Sequence, residues 1–382
     1  MQLPVYLDHQ ATTPLAPEVL EMMLPYFTGD YGNAASMDHV YGARAKQAVE
    51  RAREQASTLI GAAPDEIVWT SGSTESNNLA LFGAVSDPSE AHVVCSAIEH
   101  YAVLDPIRRL QQLGAALTIV PVDRSGLVDP DAVKQALRPN TRVVSVMLAN
   151  NEVGTIQMVK DIGSVVHESS SALLHSDATQ AVGHIPVNVG DLGVDLLSLS
   201  AHKFYGPKGV GALFVRGSKP RVRLDPIIYG GGHERGMRSG TLNVPGIVGL
   251  GAAAELAGKV LPDEGPRVQH LRDDLERRLL NLPRSTVNGH PNRRLPHNLS
   301  ITFPGVEAKA LIVAAKDLAF SAGSACTSAK VEPSHVLLAI GLPEVDVHCS
   351  IRLGLGRSTD KETVEFAAET LIAAVTRLRR IA

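Results

Sequence analysis

The sequence predicts an α/β protein: a large domain on a mostly parallel sheet, followed by a smaller α/β C-terminal domain. Three observations carry this. Between residues 67 and 215 short apolar runs alternate with helical stretches, the pattern of βαβ units. Glycine turns and chemically active side chains follow directly after those runs, where an open sheet leaves a crevice beyond its strand carboxyl ends. After Gly230-Gly231-Gly232 and a helix over about 245–260 the character changes, and Pro262-Asp263-Glu264-Gly265-Pro266 reads as a hinge.

Taken in order, residues 1–37 are turn-rich and polar, with Tyr6-Leu7-Asp8-His9-Gln10-Ala11-Thr12-Thr13 and Tyr31-Gly32-Asn33-Ala34. Such a segment suits an arm lining a site; plain loop is the alternative. A helix over 39–60 puts Ala45, Val49, Ala52, Ala56 and Leu59 on one face. Strands are expected at 93–96, 117–122, 143–148, 172–175, 195–200 and 212–215. The second domain should hold a charged helix (266–282), a strand (299–303), a helix near 308–315 and a strand at 318–321. Its last helix opens with Thr359-Asp360-Lys361-Glu362, which has the form of a capping box, and buries Val364, Ala367, Leu371, Ala374 and Leu378. These elements divide the chain into a large domain, 15–261, and a small domain, 1–14 with 262–382. Gly249-Leu250-Gly251-Ala252 is a loose dinucleotide-binding match inside a helical stretch, so its small residues read as close helix packing.

Composition narrows the class. With 382 residues, 44% hydrophobic and 20% charged, the chain has ordinary globular values and room for two cores. A net charge of −4 argues against a nucleic-acid surface as its main business. There is no basic-then-apolar leader and no run of about 18 uninterrupted apolar residues, so neither export nor a membrane span is expected. Cys95, Cys326 and Cys349 are too few and scattered for a disulfide framework or a cysteine zinc site, no metal is expected, and a cytoplasmic setting follows.

The chemistry centres on Ser200-Ala201-His202-Lys203, after the apolar run at 194–199. Alone, this lysine is an ordinary surface residue after a strand. Buried, its amine would be a nucleophile suited to a Schiff base. Two stretches decide for the second reading. Asp177, in His175-Ser176-Asp177-Ala178-Thr179-Gln180, is the acid that would keep a pyridine nitrogen protonated. Thr70-Ser71-Gly72-Ser73-Thr74-Glu75-Ser76-Asn77 is a strand end, glycine turn and helix start, and so an anion site whose Ser73 and Thr74 hydroxyls suit a phosphate. Schiff-base lysine, ring-nitrogen acid and phosphate cup together call for pyridoxal 5'-phosphate.

Cys326 sits in Ser321-Ala322-Gly323-Ser324-Ala325-Cys326-Thr327-Ser328-Ala329-Lys330, among small polar residues that suit an exposed, reactive thiol; a small-residue packing loop is the alternative. Cys95 and Cys349 lie in apolar runs and read as core. Arg352, on a strand among glycines, suits the carboxylate of an amino acid, or a structural ion pair; for Arg357 the ion pair is the better reading.

With these motifs in order, the chain resembles the cysteine desulfurases, fold-type I pyridoxal-phosphate enzymes, from Tyr6 to about Leu378. Thr-Ser-Gly-Ser-Thr-Glu-Ser-Asn, Glu-His, Asn-Asn-Glu-Val-Gly, Asp-Ala-Thr-Gln, Ser-x-His-Lys-x-Tyr-Gly-Pro-Lys-Gly, Gly-Gly-Gly-His-Glu-Arg-Gly-Met-Arg-Ser-Gly-Thr and Gly-Ser-Ala-Cys-Thr-Ser all occur. The cysteine segment, about 321–332, looks like that of the group with the longer mobile loop, as in iron–sulfur cluster assembly enzymes. The resemblance implies Lys203 as the Schiff-base lysine, Asp177 on the pyridine nitrogen and Gln180 on the ring hydroxyl. It implies His100 stacked on the ring and assisting proton transfer. Ser73, Thr74, Ser200 and His202 would hold the phosphate, with Thr241 from the other subunit of a homodimer, and Asn151 and Arg352 would hold the substrate carboxylate. Cys326 would receive the sulfur of L-cysteine and pass it to a protein acceptor, an iron–sulfur scaffold or a thiolation enzyme. A selenocysteine lyase, a related aminotransferase or a sulfur-relay scaffold are the other readings. The chain departs from the family's usual residues at Gln10, Ala34, Tyr101, Ala149, Ala322 and Cys349; none is a catalytic position.

Overall fold

The computed structural model describes residues 3–218, 221–322 and 333–381. It opens with β1 (Val5–Tyr6), α1 (Pro17–Met23), α2 (Pro25–Thr28) and the long α3 (Val40–Ile60). The His39 side chain accepts from the N–H of Gly42 to start α3, and Gly61, at φ 67°, ends it. A Cβ at Gly61 would be strained and would stand 2.5 Å from the Asn188 amide.

The alternating region follows as expected. In chain order it comprises β2 (Ile67–Thr70), α4 (Ser73–Gly83), β3 (His92–Ser96), α5 (Tyr101–Gln112), β4 (Ala116–Val120) and α6 (Pro130–Ala136). Then come β5 (Thr141–Ser145), α7 (Val159–Ser169), β6 (Leu173–Asp177), α8 (Val189–Leu192), β7 (Leu196–Ser200) and β8 (Gly211–Val215). Seven strands form one sheet in the order β2-β8-β7-β6-β5-β3-β4. Only β8 runs against its neighbours. Strands β3, β7 and β8 are buried at every residue, which is why they read as unbroken apolar runs rather than as an alternation.

The expected hinge is not one. Helix α9 runs unbroken from Val244 to Leu279, through both Pro262 and Pro266. The two prolines are four residues apart on one exposed face, so the carbonyls that lose their helical donors face water. Its first half packs against α3 and α1 by small residues: a Cβ at Gly251 would stand 2.6 Å from the Ala52 Cα of α3, and one at Gly249 2.6 Å from the Met23 sulfur of α1. The glycines are thus helix packing, as read. By length and composition α9 is also the one helix among the described residues able to cross a membrane, but 56% of that window is buried within the fold, as in a core helix.

The remainder comprises β9 (Thr286–Val287), β10 (Asn298–Thr302), α10 (Ala308–Ala314), β11 (Leu318–Ala319), β12 (Ser321–Ala322), α11 (His335–Ala339), α12 (Glu344–Val347), β13 (Ser350–Gly354) and α13 (Lys361–Ile381). Strands β12-β13-β10-β9 form an antiparallel sheet, and β1 pairs with β11 in parallel. The segment at 318–321 therefore divides between two sheets. The start of α13 also differs from the capping box expected. The Asp360 carboxylate accepts from the N–H of Thr363, whereas the Thr359 hydroxyl turns back to accept from Gly356.

Two main cores result. One gathers Val49, Trp69, Val144, Leu199, Phe214 and Ile247; the other gathers Leu7, Leu275, Leu299, Ile351, Val364 and Leu371. Each fully buried side chain of this size contributes about 1.5–3 kcal/mol. Cys95 and Cys349 are free, buried thiols, as expected. Burial raises the Cys95 thiol well beyond the range where thiolate forms.

Candidate active site

Most of the candidate site residues lie at or past the carboxyl ends of β2, β3, β5, β6 and β7; Arg352 comes from β13 and Thr241 from the loop before α9. After Ser200 at the end of β7, a tight turn over Ala201–Lys203 presents the lysine. Its Nζ donates to the carbonyls of Gln10 (2.5 Å) and Ala11 (2.9 Å). Those carbonyls belong to the polar N-terminal stretch, which is pinned there. Thr13 Oγ1 donates to the His202 carbonyl (3.0 Å), and the Thr12 hydroxyl pairs with His202 Nδ1 at 3.1 Å. The stretch thus lines the site rather than filling a loop. Burial, then the charges of Lys203 and Lys208, push His202 down to about 4, so the imidazole is neutral.

Strand β6 delivers Asp177. Its carboxylate is buried and aimed: Oδ2 accepts from Asn77 Nδ2 (2.7 Å) and Oδ1 from the N–H of Thr179 (2.9 Å). Beneath it His175 lies between the hydroxyls of Ser145 (2.8 Å) and Ser198 (3.0 Å), pushed down to about 4 by burial. Gln180 is buried, and its Nε2 donates to the Gln10 carbonyl at 3.1 Å.

Between β2 and α4 the backbone turns at Gly72, φ 152° and ψ 175°, a conformation left to glycine. A Cβ there would stand 3.7 Å from Ser200 Oγ, filling a cradle that Ser200 closes from β7. Ser73 and Thr74 open α4, whose first N–H groups have no helical acceptor. The rim of this cradle is tied to the 230–241 loop. Arg238 pairs with Glu75 (2.7 Å), and Glu234 takes both Arg53 Nη atoms (2.9 Å each) and the Trp69 N–H (2.9 Å). Thr241, at the end of that loop, is exposed.

His100 caps α5, its Nδ1 accepting from the N–H of Ala102 at 3.0 Å. The neutral ring therefore carries its proton on Nε2. Burial lowers its pKa, with Asp177 acting upward and Lys203 downward, which puts all three groups within electrostatic reach. Arg352 is almost fully buried. It donates to the Asn151 carbonyl (2.8 Å) and pairs with Asp8 (2.8 Å), so it holds the ion pair that the sequence left open. The Nε of Arg352 and the Oδ1 of Asn151 have no partner among the described residues. Arg357 pairs with Glu264 (2.6 Å) over the Tyr205 ring, as expected of a structural residue. Cys326 lies outside the described residues.

Several contributors escaped the sequence reading. Asn77 orients Asp177, Asp8 neutralises Arg352, and His184 Nε2 donates to the Lys203 carbonyl at 2.7 Å. His184 stacks on His297 at 4.0 Å, and burial pushes His184 down to about 4. Asn77 was within a motif already singled out; Asp8 and Arg352 are 344 residues apart and His184 and Lys203 are 19 apart, and no local pattern marks either pairing. Of the departures, Gln10, Ala34, Ala149 and Cys349 are buried, and Tyr101 meets the His335 ring at 4.9 Å.

The chain belongs to the aminotransferase class-V family, whose sequence profile it matches over residues 5–366. Its relatives narrow this. It is 52% identical to a "Cysteine desulfurase IscS" of Anaeromyxobacter dehalogenans, covering 100% of this chain and 95% of the relative. Among solved structures it is similar to a "NIFS-like protein" (36% identity, TM-score 0.90, 98% of this chain and 99% of the other). It is also similar to "SspA in complex with cysteine" (36%, TM-score 0.81, 92% and 98%). Its activity is that of a cysteine desulfurase.

Proposed function

We propose that this chain binds pyridoxal 5'-phosphate at the carboxyl edge of its large sheet, converts L-cysteine to L-alanine, and carries the released sulfur as a persulfide on Cys326. The observation that bears most weight is the meeting, at the ends of β2, β6 and β7, of the Gly72 cradle, the oriented Asp177 carboxylate and the Lys203 amine. That donor set fits the cofactor: an anion cup, a ring-nitrogen acid and an amine. When bound, the cofactor supplies a carbonyl that condenses with amines and a ring that takes up electron density.

The chain's own groups do the rest. Lys203 Nζ would hold the cofactor and would take the proton from the substrate's α-carbon. Asp177 keeps the pyridine nitrogen protonated, Gln180 holds the ring hydroxyl, and Ser73, Thr74, Ser200 and His202 hold the phosphate. His100, protonated on Nε2 and neutral, covers the ring and can hand on a proton. Asn151 and Arg352 take the substrate carboxylate, which competes with Asp8 for the guanidinium. The sulfur step balances without an outside oxidant. The Cys326 thiolate attacks the substrate sulfur, an S–S bond forms as the Cβ–S bond breaks, and carbon keeps that electron pair and gains a proton to become the alanine methyl. A relative solved "in complex with cysteine" supports this substrate. Incubation with L-cysteine should yield alanine and a mass gain of one sulfur on the Cys326 peptide; a gain on Cys349 or Cys95 instead would sink the assignment.

The same reading makes the chain a homodimer. The surface from α1 to the start of α3 exposes Leu24, Phe27, Tyr31, Met37 and Val40, and Tyr229 of the loop leading to Thr241 is 80% exposed. So much exposed apolar surface supports a partner face, and a second copy would bring Thr241 to its neighbour's phosphate. Sedimentation should give a dimer; a monomer with full cofactor occupancy contradicts this. The two cores support a division into 15–261 and 1–14 with 262–382. We place the protein in the cytoplasm, delivering sulfur to a protein acceptor, an iron–sulfur scaffold or a thiolation enzyme.

A further inference from the structure

In sequence, the segment that holds Cys326 is followed by Pro333-Ser334-His335. These last residues are held by the two turns that carry His100 and Asn151. Ser334 Oγ donates to Glu152 Oε2 at 2.5 Å and accepts from the N–H of Leu337 at 3.1 Å, so one hydroxyl caps α11 and ties it to the residue after Asn151. His335 Nε2 donates to the Glu99 carbonyl at 2.9 Å, beside His100. Under both contacts a small core of Ile98, Met147, Val153, Val336, Leu337 and Ile340 joins α11 to the same two turns. The Glu152 turn is itself firm: Asn150 Oδ1 accepts from the N–H groups of Glu152 and Val153, and Asn298 Nδ2 donates to the Glu152 carbonyl.

A carboxyl group buried this deeply is costly to ionise, and a hydrophobic residue would pack as well. Among the described residues its one side-chain hydrogen bond goes to Ser334. We propose that Glu152 and Ser334 are positioning residues for the sulfur-accepting step: their hydrogen bond fixes the helix that follows the Cys326 segment to the turn that holds the substrate through Asn151. This rests on the reading that Cys326 accepts the sulfur. Among the described residues the groups that act on Glu152 are Ser334 at the start of α11 and Arg352 from β13, the latter already paired with Asp8. Burial pushes Glu152 up to about 7 against the pull of Ser334 and Arg352. As pH rises through that value the carboxyl ionises, and a hydroxyl donating to a carboxylate is held more tightly than one donating to the acid.

The test uses the cofactor-loaded protein in single turnover, with E152Q, S334A and S334T measured beside wild type and C326S. Affinity for L-cysteine is read from the visible absorbance change, and sulfur acceptance from the rate of persulfide labelling at Cys326. In S334A the labelling rate should fall about tenfold or more, and in E152Q, whose amide still accepts from Ser334 but carries no charge, by about threefold or more above neutral pH, while affinity stays within about twofold in both. S334T keeps the hydroxyl and should restore the rate. The ratio of wild-type to E152Q rates should rise with pH through neutrality. Labelling at the wild-type rate in S334A, equal falls in affinity and rate, or S334T no better than S334A would each overturn the proposal. Absence of label on Cys326 in wild type would instead overturn the reading beneath it.

Discussion

Replacing Lys203 by alanine should leave a folded protein that no longer retains the cofactor after borohydride reduction and turns over L-cysteine at least about 10⁴-fold more slowly. In the proposed function the amine serves twice, as the group that holds the cofactor and as the base at the substrate's α-carbon, so no second residue would cover the loss. Stability should change little by comparison. Lys203 is half-buried, and its removal frees the Gln10 and Ala11 carbonyls, a cost of about 1–3 kcal/mol if water does not reach them. The segment stays anchored by Thr13 on the His202 carbonyl and by His184 on the Lys203 carbonyl. The nearest other lysine in sequence, Lys208, is exposed beyond Gly206-Pro207. Absorbance and mass after borohydride treatment decide the matter: cofactor fixed to Lys208 in the variant would show that the wrong lysine has been chosen.

The large domain was legible because its signals are local. Strands buried on both faces read as apolar runs, and the turns after them carry glycine and hydroxyl residues that a helix start can use. Gly72 is the clearest instance: its backbone angles exclude other residues, and the sequence shows it between a strand end and two hydroxyls. The same locality explains the error at Pro262 and Pro266. Two prolines with an intervening glycine break most helices, but here both rings and the carbonyls they free face solvent, while Val268, Leu275 and Leu279 carry the buried face onward. Only tertiary packing distinguishes that case from a hinge.

What stayed hidden was pairing at long range. Asp8 and Arg352 are 344 residues apart, and Glu152 and Ser334 are 182 apart. Each looks like an ordinary polar residue until the fold brings its partner. Asn151 and Arg352 could be nominated separately, yet the Arg352 bond to the Asn151 carbonyl makes them one unit. A substitution at Arg352 should therefore disturb the Asn151 turn, which additive accounts of the site would miss.

Replacing Cys326 by serine should separate the two halves of the chemistry. In the proposed function Lys203, Asp177 and the Gly72 cradle serve the carbon chemistry and the cofactor, and none depends on the thiol. The variant should load cofactor normally and still change its visible absorbance on adding L-cysteine. Alanine formation should fall by at least about 10³-fold, because a serine hydroxyl stays protonated near neutral pH whereas an unperturbed thiol is already a few per cent thiolate. Cys95→Ser and Cys349→Ser provide the contrast. Both thiols are buried, Cys95 in the strand β3 and Cys349 in the turn just before β13, so serine there costs stability, of the order of 1–3 kcal/mol for a poorly satisfied buried hydroxyl. Turnover per folded molecule should stay near wild type in both. Alanine release and persulfide labelling under reducing conditions, normalised to bound cofactor, distinguish these outcomes. Full turnover in Cys326→Ser, or its loss in Cys349→Ser alone, would mean that the sulfur goes to a different thiol and that the segment around Cys326 serves another purpose.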